Sequence, residues 1–227
     1  MDVGLIYILH DDASRDHLSI RGDLFKYLVK VRRHSVGETL YMRTRDNLTI
    51  LYRYEIVAID GRTLDLKLLD STHKEVQSTK NLHIGWCVID TKSIEKVLPS
   101  LSEIGVAKIS FIHCERSQKN FKLDFKRFER ILEASMQQCG RSSYIEFETY
   151  NSIQTFIKDF PDTKIFDFCD KTLNDYQDIS TVLIGCEGGF SQQEKTFLAD
   201  QDVFRLDTPM VLRSESAVMA VASKILL

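Results

Sequence analysis

The sequence predicts an α/β protein of two domains, a small β-rich one over residues 1–73 and an α/β one over residues 74–227. Three observations carry this. Several short strand patterns crowd into the first seventy residues, as in a small barrel or sandwich. From residue 82 onward strand and helix patterns alternate, which is how helices come to cover a parallel sheet. Between the two halves, Ser71 to Asn81 is polar and charged.

In the first half, Val3 to Leu9, Glu38 to Met42, Thr49 to Ile59 and Thr63 to Leu69 read as strands, with Gly61 marking the turn between the last two. One helix interrupts them. Leu24, Tyr27, Leu28 and Val31 recur at helical spacing within Asp23 to Arg33, while Lys26, Lys30 and Arg33 take the other face. In the second half, Leu82 to Ile89 is a buried-type strand. Lys92 to Ile104 is a helical pattern that Gly105 ends. Pro99 lies inside it, at a cost of roughly 3 kcal/mol in a regular interior, so a kink or a shorter helix is expected. Ala107 to His113 is the next strand, and strand–helix–strand implies parallel pairing through a right-handed crossover. A helix from Leu123 to Cys139 buries Phe125, Phe128, Ile131, Leu132 and Met136. A strand at Ile145 to Phe147, a helix at Ser152 to Phe160 and a strand at Lys164 to Phe168 follow.

The most informative stretch is Val182-Leu183-Ile184-Gly185-Cys186-Glu187-Gly188-Gly189-Phe190-Ser191. The apolar run Thr181 to Ile184 is a strand that stops at Gly185. Ser191 with Glu194 three residues on is a capping box, so a helix starts there. Glycines between them permit positive φ and close approach of a ligand, and strand mouths are where α/β sheets bind ligands. A plain turn is the competing interpretation. The stretch has neither the GxGxxG spacing of dinucleotide sites nor the Gly-Lys-Ser/Thr of a phosphate loop. Phe204 to Asp207 reads as a last strand, before an apolar helix from Val218 to Leu227.

Two motifs together resemble the RsmE family of SPOUT-class RNA methyltransferases. Ile184-Gly185-Cys186-Glu187-Gly188-Gly189-Phe190-Ser191 with Glu194 is similar to the family's I-G-P-E-G-G-F-S-x-x-E loop. Leu206-Asp207, Val211-Leu212-Arg213 and Glu215-Ser216-Ala217 are similar to its L-G-x-x-I-L-R-x-E-T-A segment. Cys186 replaces Pro, Asp207 replaces Gly, and Ser216 replaces Thr. Lys92, Glu103-Ile104-Gly105, Glu115-Arg116-Ser117 and Gln138-Cys139-Gly140-Arg141 also resemble family segments, and Arg33 and Gly37 do so more loosely. The resemblance implies a SPOUT-type trefoil-knot α/β domain, a PUA-like N-terminal β-barrel that binds RNA, and a homodimer. It further implies S-adenosylmethionine as methyl donor and N3 of a uridine in 16S ribosomal RNA, at the decoding centre, as acceptor.

Composition is that of an ordinary globular protein, 43% hydrophobic and 28% charged. No apolar run approaches 18 residues, so no membrane span is expected, and Met1-Asp2-Val3-Gly4 lacks a basic leader. The five cysteines contain no CxxC pair, which points to reduced thiols, a cytoplasmic location and no metal site. Net charge is −3, but residues 15–53 hold nine Lys/Arg against four Asp/Glu, and residues 115–141 hold seven against four. Residues 159–202 hold three against ten. Basic charge therefore lies away from the glycine turn, in segments suited to phosphate or simply to solvent.

The implied chemistry needs orientation rather than a nucleophile, because a sulfonium already donates methyl. Uridine N3 must lose its proton, and a cation near O2 or O4 would hold the anion. Arg213 is the candidate cation; the alternative is a salt bridge to Glu187 or Glu215. Glu187 is a base or an arginine partner, or else a turn carboxylate capping amides. Ile184, Gly185, Glu187, Gly188, Gly189, Leu206, Leu212 and Ser216 are the expected cofactor residues. Lys26, Lys30, Arg33, Arg116 and Arg141 are the expected RNA contacts. Two other functions stay open: methylation of a 2′-hydroxyl or another base atom, and a degenerate RNA-binding protein that no longer methylates.

Overall fold

The structure is a computed structural model that describes residues 7–117, 122–175 and 178–227. The chain forms two compact units. One comprises residues 1–77 with 136–143, the other 78–135 with 144–227.

The first unit contains β1 (Ile8–Leu9), β2 (His17–Ile20), α1 (Gly22–Phe25), β3 (Thr39–Arg43), β4 (Ile50–Asp60) and β5 (Thr63–His73). The expected strand from Val3 falls partly outside the described residues. The sheet order is β1-β3-β4-β5-β2, with β1 parallel to β3 and the other pairs antiparallel. Register shifts at Arg53/Tyr54 and Ile56/Ala58 break the β4–β5 ladder; such bulges bend and twist a strand, and the sheet curls like a barrel. Alternation places Leu64 and Leu66 in a core with Leu18, Ile20, Met42, Tyr54 and Ile56. The segment 136–143 belongs here through Tyr7, whose N–H donates to the Gln137 carbonyl at 3.2 Å and whose hydroxyl donates to the Arg141 carbonyl at 2.7 Å.

One helix differs from expectation. After Phe25 the chain winds as a π-helix over Lys26–Val31, with the Arg32 N–H bonded to the carbonyl of Tyr27, five residues back. The wider turn rotates successive residues off the stripe that α-spacing predicts. Phe25 and Leu28 are buried, whereas Tyr27 and Val31 are exposed. The turn ends at Arg33 with φ +60°, and the His34 N–H closes back onto the Leu28 carbonyl at 3.1 Å. Such a left-handed residue is a common helix stop, usually glycine.

The second unit contains β6 (His83–Cys87), α2 (Thr91–Ile104), β7 (Lys108–Ile112), α3 (Phe125–Cys139, whose last residues cluster with the first unit), β8 (Glu146–Tyr150), α4 (Ile153–Asp159), β9 (Lys164–Phe166), β10 (Thr181–Ile184), α5 (Gln192–Phe197), β11 (Val203–Phe204) and α6 (Ser214–Leu226). Its sheet runs β11-β9-β10-β6-β7-β8, parallel throughout. Strands covered on both faces become apolar along their whole length, and every residue of β6 is buried. Asp90 caps α2 by accepting the Ser93 N–H at 3.0 Å, and Gly105 ends it at φ 103°. Pro99 stays inside this one continuous helix. No described helix is long and apolar enough to cross a membrane.

At the start of β6, His83 is buried against Phe156 and Phe160, and its Nε2 lies 2.6 Å from the Ser110 hydroxyl. Burial, aided by the nearby Lys108 cation, pushes His83 down to about 4 against the opposing pull of Glu148. The unfolded chain, with an ordinary histidine near 6.5, then binds more protons than the folded one between those values. Stability is full above about pH 6.5 and falls as pH drops toward 4, by up to about 3 kcal/mol from this group. Thermal melts across that window are expected to show the decline in the native chain and a shallower one in His83→Leu.

Candidate active site

At the carboxyl ends of β9 and β10 lies a cleft of about 770 Å³ measured to its open mouth, within the range of small-molecule sites. Four segments line it. They are Phe166 to Phe168 after β9, Ile184 to Phe190 after β10 (without Gly188), Arg205 to Leu212 in part, and Ser214 with Ala217 on α6. The β10 loop is shaped by its glycines. Gly189 takes φ +63°, and a Cβ there would meet nothing within 4 Å. At Gly185 a Cβ would sit 3.5 Å from Gly189 Cα and from the Phe190 ring, so this turn is folded closely on itself.

Four side chains hold the loop from behind. Glu194 is buried; its carboxylate accepts the Ser191 N–H at 2.7 Å and the Glu115 N–H at 2.8 Å. The Ser191 hydroxyl accepts the Glu194 N–H at 3.1 Å, so the expected capping box is formed. Arg116 donates through Nη1 to the Gly188 carbonyl at 2.5 Å, and its methylene stem lies against Gly188. Ser214, absent from the sequence expectations, accepts from Trp86 Nε1 at 2.8 Å and donates to the Gly185 carbonyl at 2.6 Å. Only the fold could reveal that bridge, since its three members are far apart in sequence.

Of the residues expected at a cofactor, Ile184, Gly185, Glu187, Gly189, Leu206 and Leu212 line the cleft together. Gly188 and Ser216 do not; Ser216 is exposed on the first turn of α6. Arg213 is the N-cap of α6, between cleft-lining Leu212 and Ser214, and its exposed side chain has no hydrogen-bond or ion-pair partner among the described residues. Salt bridges from it to Glu187 or Glu215 are therefore not formed. Glu187 is also exposed. Lys26, Lys30 and Arg33 are exposed on or beside the π-turn, with Lys26 paired to Asp23 at 2.9 Å. Arg141 is buried, with Nε bonded to the Ser143 hydroxyl at 3.3 Å.

The two departures from the glycine-turn motifs have separate explanations. Asp207 is not a positive-φ residue, so the backbone does not require glycine there. Its side chain is 82% exposed, 3.7 Å from Arg205 and outside the cleft lining. Cys186 is buried with its Sγ 3.6 Å from that of Cys114. Among the described residues no group of His, Cys, Asp or Glu is arranged to hold a metal ion.

A parallel sheet with a glycine-lined cleft at its strand ends is the frame of a nucleotide-cofactor enzyme, and residues 76–226 match the family described as RNA methyltransferase domain. Over nearly its whole length the chain is 36% identical to the ribosomal RNA small subunit methyltransferase E of Helicobacter pylori, covering 96% of this chain and 97% of that one. The relative of that name from Buchnera aphidicola of Schizaphis graminum is 26% identical over 85% of this chain and 86% of its own. The chain belongs to the RsmE family. Its fold is the SPOUT-type trefoil-knot α/β fold with a barrel-like N-terminal sheet. It is shared with a Neisseria gonorrhoeae ribosomal RNA small subunit methyltransferase E bound to S-adenosyl methionine (TM-score 0.74, 16% identity, 96% and 95% of the two chains). A Legionella pneumophila protein solved with the cofactor SAM has the same fold (TM-score 0.76, 22% identity, 97% and 96%).

Proposed function

We propose that this protein transfers a methyl group from S-adenosylmethionine to N3 of a uridine in small-subunit (16S) ribosomal RNA, in the cytoplasm and as a homodimer. The observation that carries this is the cleft itself. Backbone of the β10 loop forms one wall, and Leu206 and Leu212 stand among the apolar residues around it. The open space beside Gly189, where a Cβ would meet nothing, suits close approach of a nucleoside.

When bound, the cofactor supplies an activated methyl group on a sulfonium. The chain supplies position and charge. Backbone groups at Gly185 to Gly189 orient the ligand, and the stiff loop avoids ordering costs at binding. Arg213, whose side chain has no partner among the described residues, is available to hold negative charge at the uridine oxygens once N3 has lost its proton. Glu187, at the cleft and with no side-chain partner among the described residues, would take that proton. Exposed Lys30 and Arg33 offer phosphate contacts that would position RNA without reading its sequence.

Calorimetric titration with S-adenosylmethionine and S-adenosylhomocysteine is expected to give micromolar binding at one site per chain. Mass mapping of the modified nucleoside should then place the methyl at N3. Methyl on a 2′-hydroxyl would keep the cofactor and replace the target. Absence of cofactor binding would remove the methyltransferase reading.

A further inference from the structure

Three of the five cysteines, all of them free thiols, meet behind the glycine turn. Cys87 is the last residue of β6, Cys114 lies two residues beyond β7, and Cys186 two beyond β10. These strands are neighbours in the order β10-β6-β7, with Ile184 opposite Trp86 and Trp86 opposite Phe111. The register therefore carries three thiols separated widely in sequence to one place. All three are buried, yet Cys186 also forms part of the cleft wall.

We propose that Cys114 and Cys186 are an oxidative modification site, forming a reversible disulfide that weakens cofactor binding. It rests on the cleft being the cofactor site. The sulfurs stand 3.6 Å apart, so a bond of about 2.05 Å needs an approach of about 1.5 Å. Both cysteines sit in loops just past strand ends, where such a movement is least costly. The Cys186 thiol also lies 3.6 Å from the Gly189 carbonyl. Drawing its sulfur toward Cys114 would strip that contact and shift the glycine backbone that shapes the cleft.

The pair is chemically unequal. Hydrogen bonding with Cys186 and then with Cys87, helped by Ser117 and the Arg116 N–H, holds the Cys114 thiol well below its ordinary range despite burial. Cys186 is pushed up, first by Cys114 and then by burial. The oxidant is a hydroperoxide that enters by the cleft, whose wall includes Cys186, with the Cys114 sulfur 3.6 Å behind it. The Cys114 thiolate attacks one peroxide oxygen, breaking the O–O bond and giving a sulfenic acid and hydroxide. The Cys186 sulfur attacks the sulfenic sulfur, closing the S–S bond and expelling the second oxygen as water. Overall two thiols lose two electrons and two protons, and hydrogen peroxide becomes two waters.

The test exposes the reduced full-length chain to hydrogen peroxide, with and without saturating S-adenosylmethionine, then alkylates, digests and maps it by mass. The expected result is a cross-linked peptide joining Cys114 to Cys186, formed more slowly with cofactor present. Affinity for S-adenosylmethionine should fall at least tenfold and return with dithiothreitol. Cys114→Ser should keep its affinity through the treatment. A Cys87–Cys114 link, or only sulfinic and sulfonic products, would overturn the site. A mapped Cys114–Cys186 bond with unchanged affinity would overturn its effect on the cofactor. Should the reduced chain bind no cofactor at all, the cleft assignment fails, while the peptide map still decides the disulfide.

Discussion

Arg213→Ala is expected to lose turnover by at least tenfold while S-adenosylmethionine binding stays within about twofold, a barrier increase of about 1.4 kcal/mol or more. Arg213 stands at the N-cap of α6 in extended backbone, φ −67° and ψ 158°, with no capping bond from its side chain. The positive end of a helix disfavours a cation there, and no ion pair among the described residues offsets that. Removing the guanidinium should therefore leave the fold intact or slightly more stable. If the side chain serves the uridine anion, its loss should appear in kcat with uniform binding unchanged. Arg213→Lys should recover only part of the rate, because the ammonium keeps the charge and lacks the fork. Paired kinetics and calorimetry on both variants check this, and wild-type turnover in Arg213→Ala would take the arginine out of the mechanism.

The second large effect is expected at Glu194, which touches no ligand. Glu194→Ala leaves the Ser191 and Glu115 N–H groups without their carboxylate. Each unsatisfied donor costs about 1–3 kcal/mol when buried, so a loss of about 2–6 kcal/mol is expected, with cofactor affinity falling at least tenfold. Glu194→Gln keeps one acceptor oxygen and turns an amide toward the other donor, so an intermediate loss is expected. Thermal melting with calorimetry separates the two outcomes. A melt unchanged in Glu194→Ala would show that the loop is held by Arg116 and Ser214 without the carboxylate.

The extent to which sequence foretold this molecule follows from how local each signal is. The strand ending at Ile184, the Ser191–Glu194 capping box and the Gly105 stop depend on neighbours within a few residues, and they were legible. The π-winding was not, because Leu24, Tyr27, Leu28 and Val31 fit α-spacing equally well, and nothing in a list of apolar positions tells four-residue from five-residue hydrogen bonding. β2 escaped because His17 to Ile20 is only four residues long. At the site, the loop and its two leucines were legible as motif. The Trp86–Ser214–Gly185 bridge, the grip of Arg116 on Gly188 and the Cys114–Cys186 contact were not. Each joins residues at least 29 apart in sequence whose proximity comes from the fold alone. Arg141 shows the converse, a charge that composition places at the surface and packing buries.

The strand order also fixes when things can be built. β9 is made before β10, yet in the sheet it touches only β10 and β11. A nascent chain that has reached Phe166 therefore has β6, β7 and β8 ready to pair and nowhere to dock β9. It must keep that apolar strand unpaired until β10 arrives and closes a loop of roughly a hundred residues back to β6, a slow, entropically costly event. Because the cleft is walled by the ends of these same two late strands, a folding intermediate that has lost or delayed this step possesses most of its core and no site. Competence to bind a ligand there is a property of the last assembly event, and an excess of cofactor should favour completion of the fold rather than its beginning.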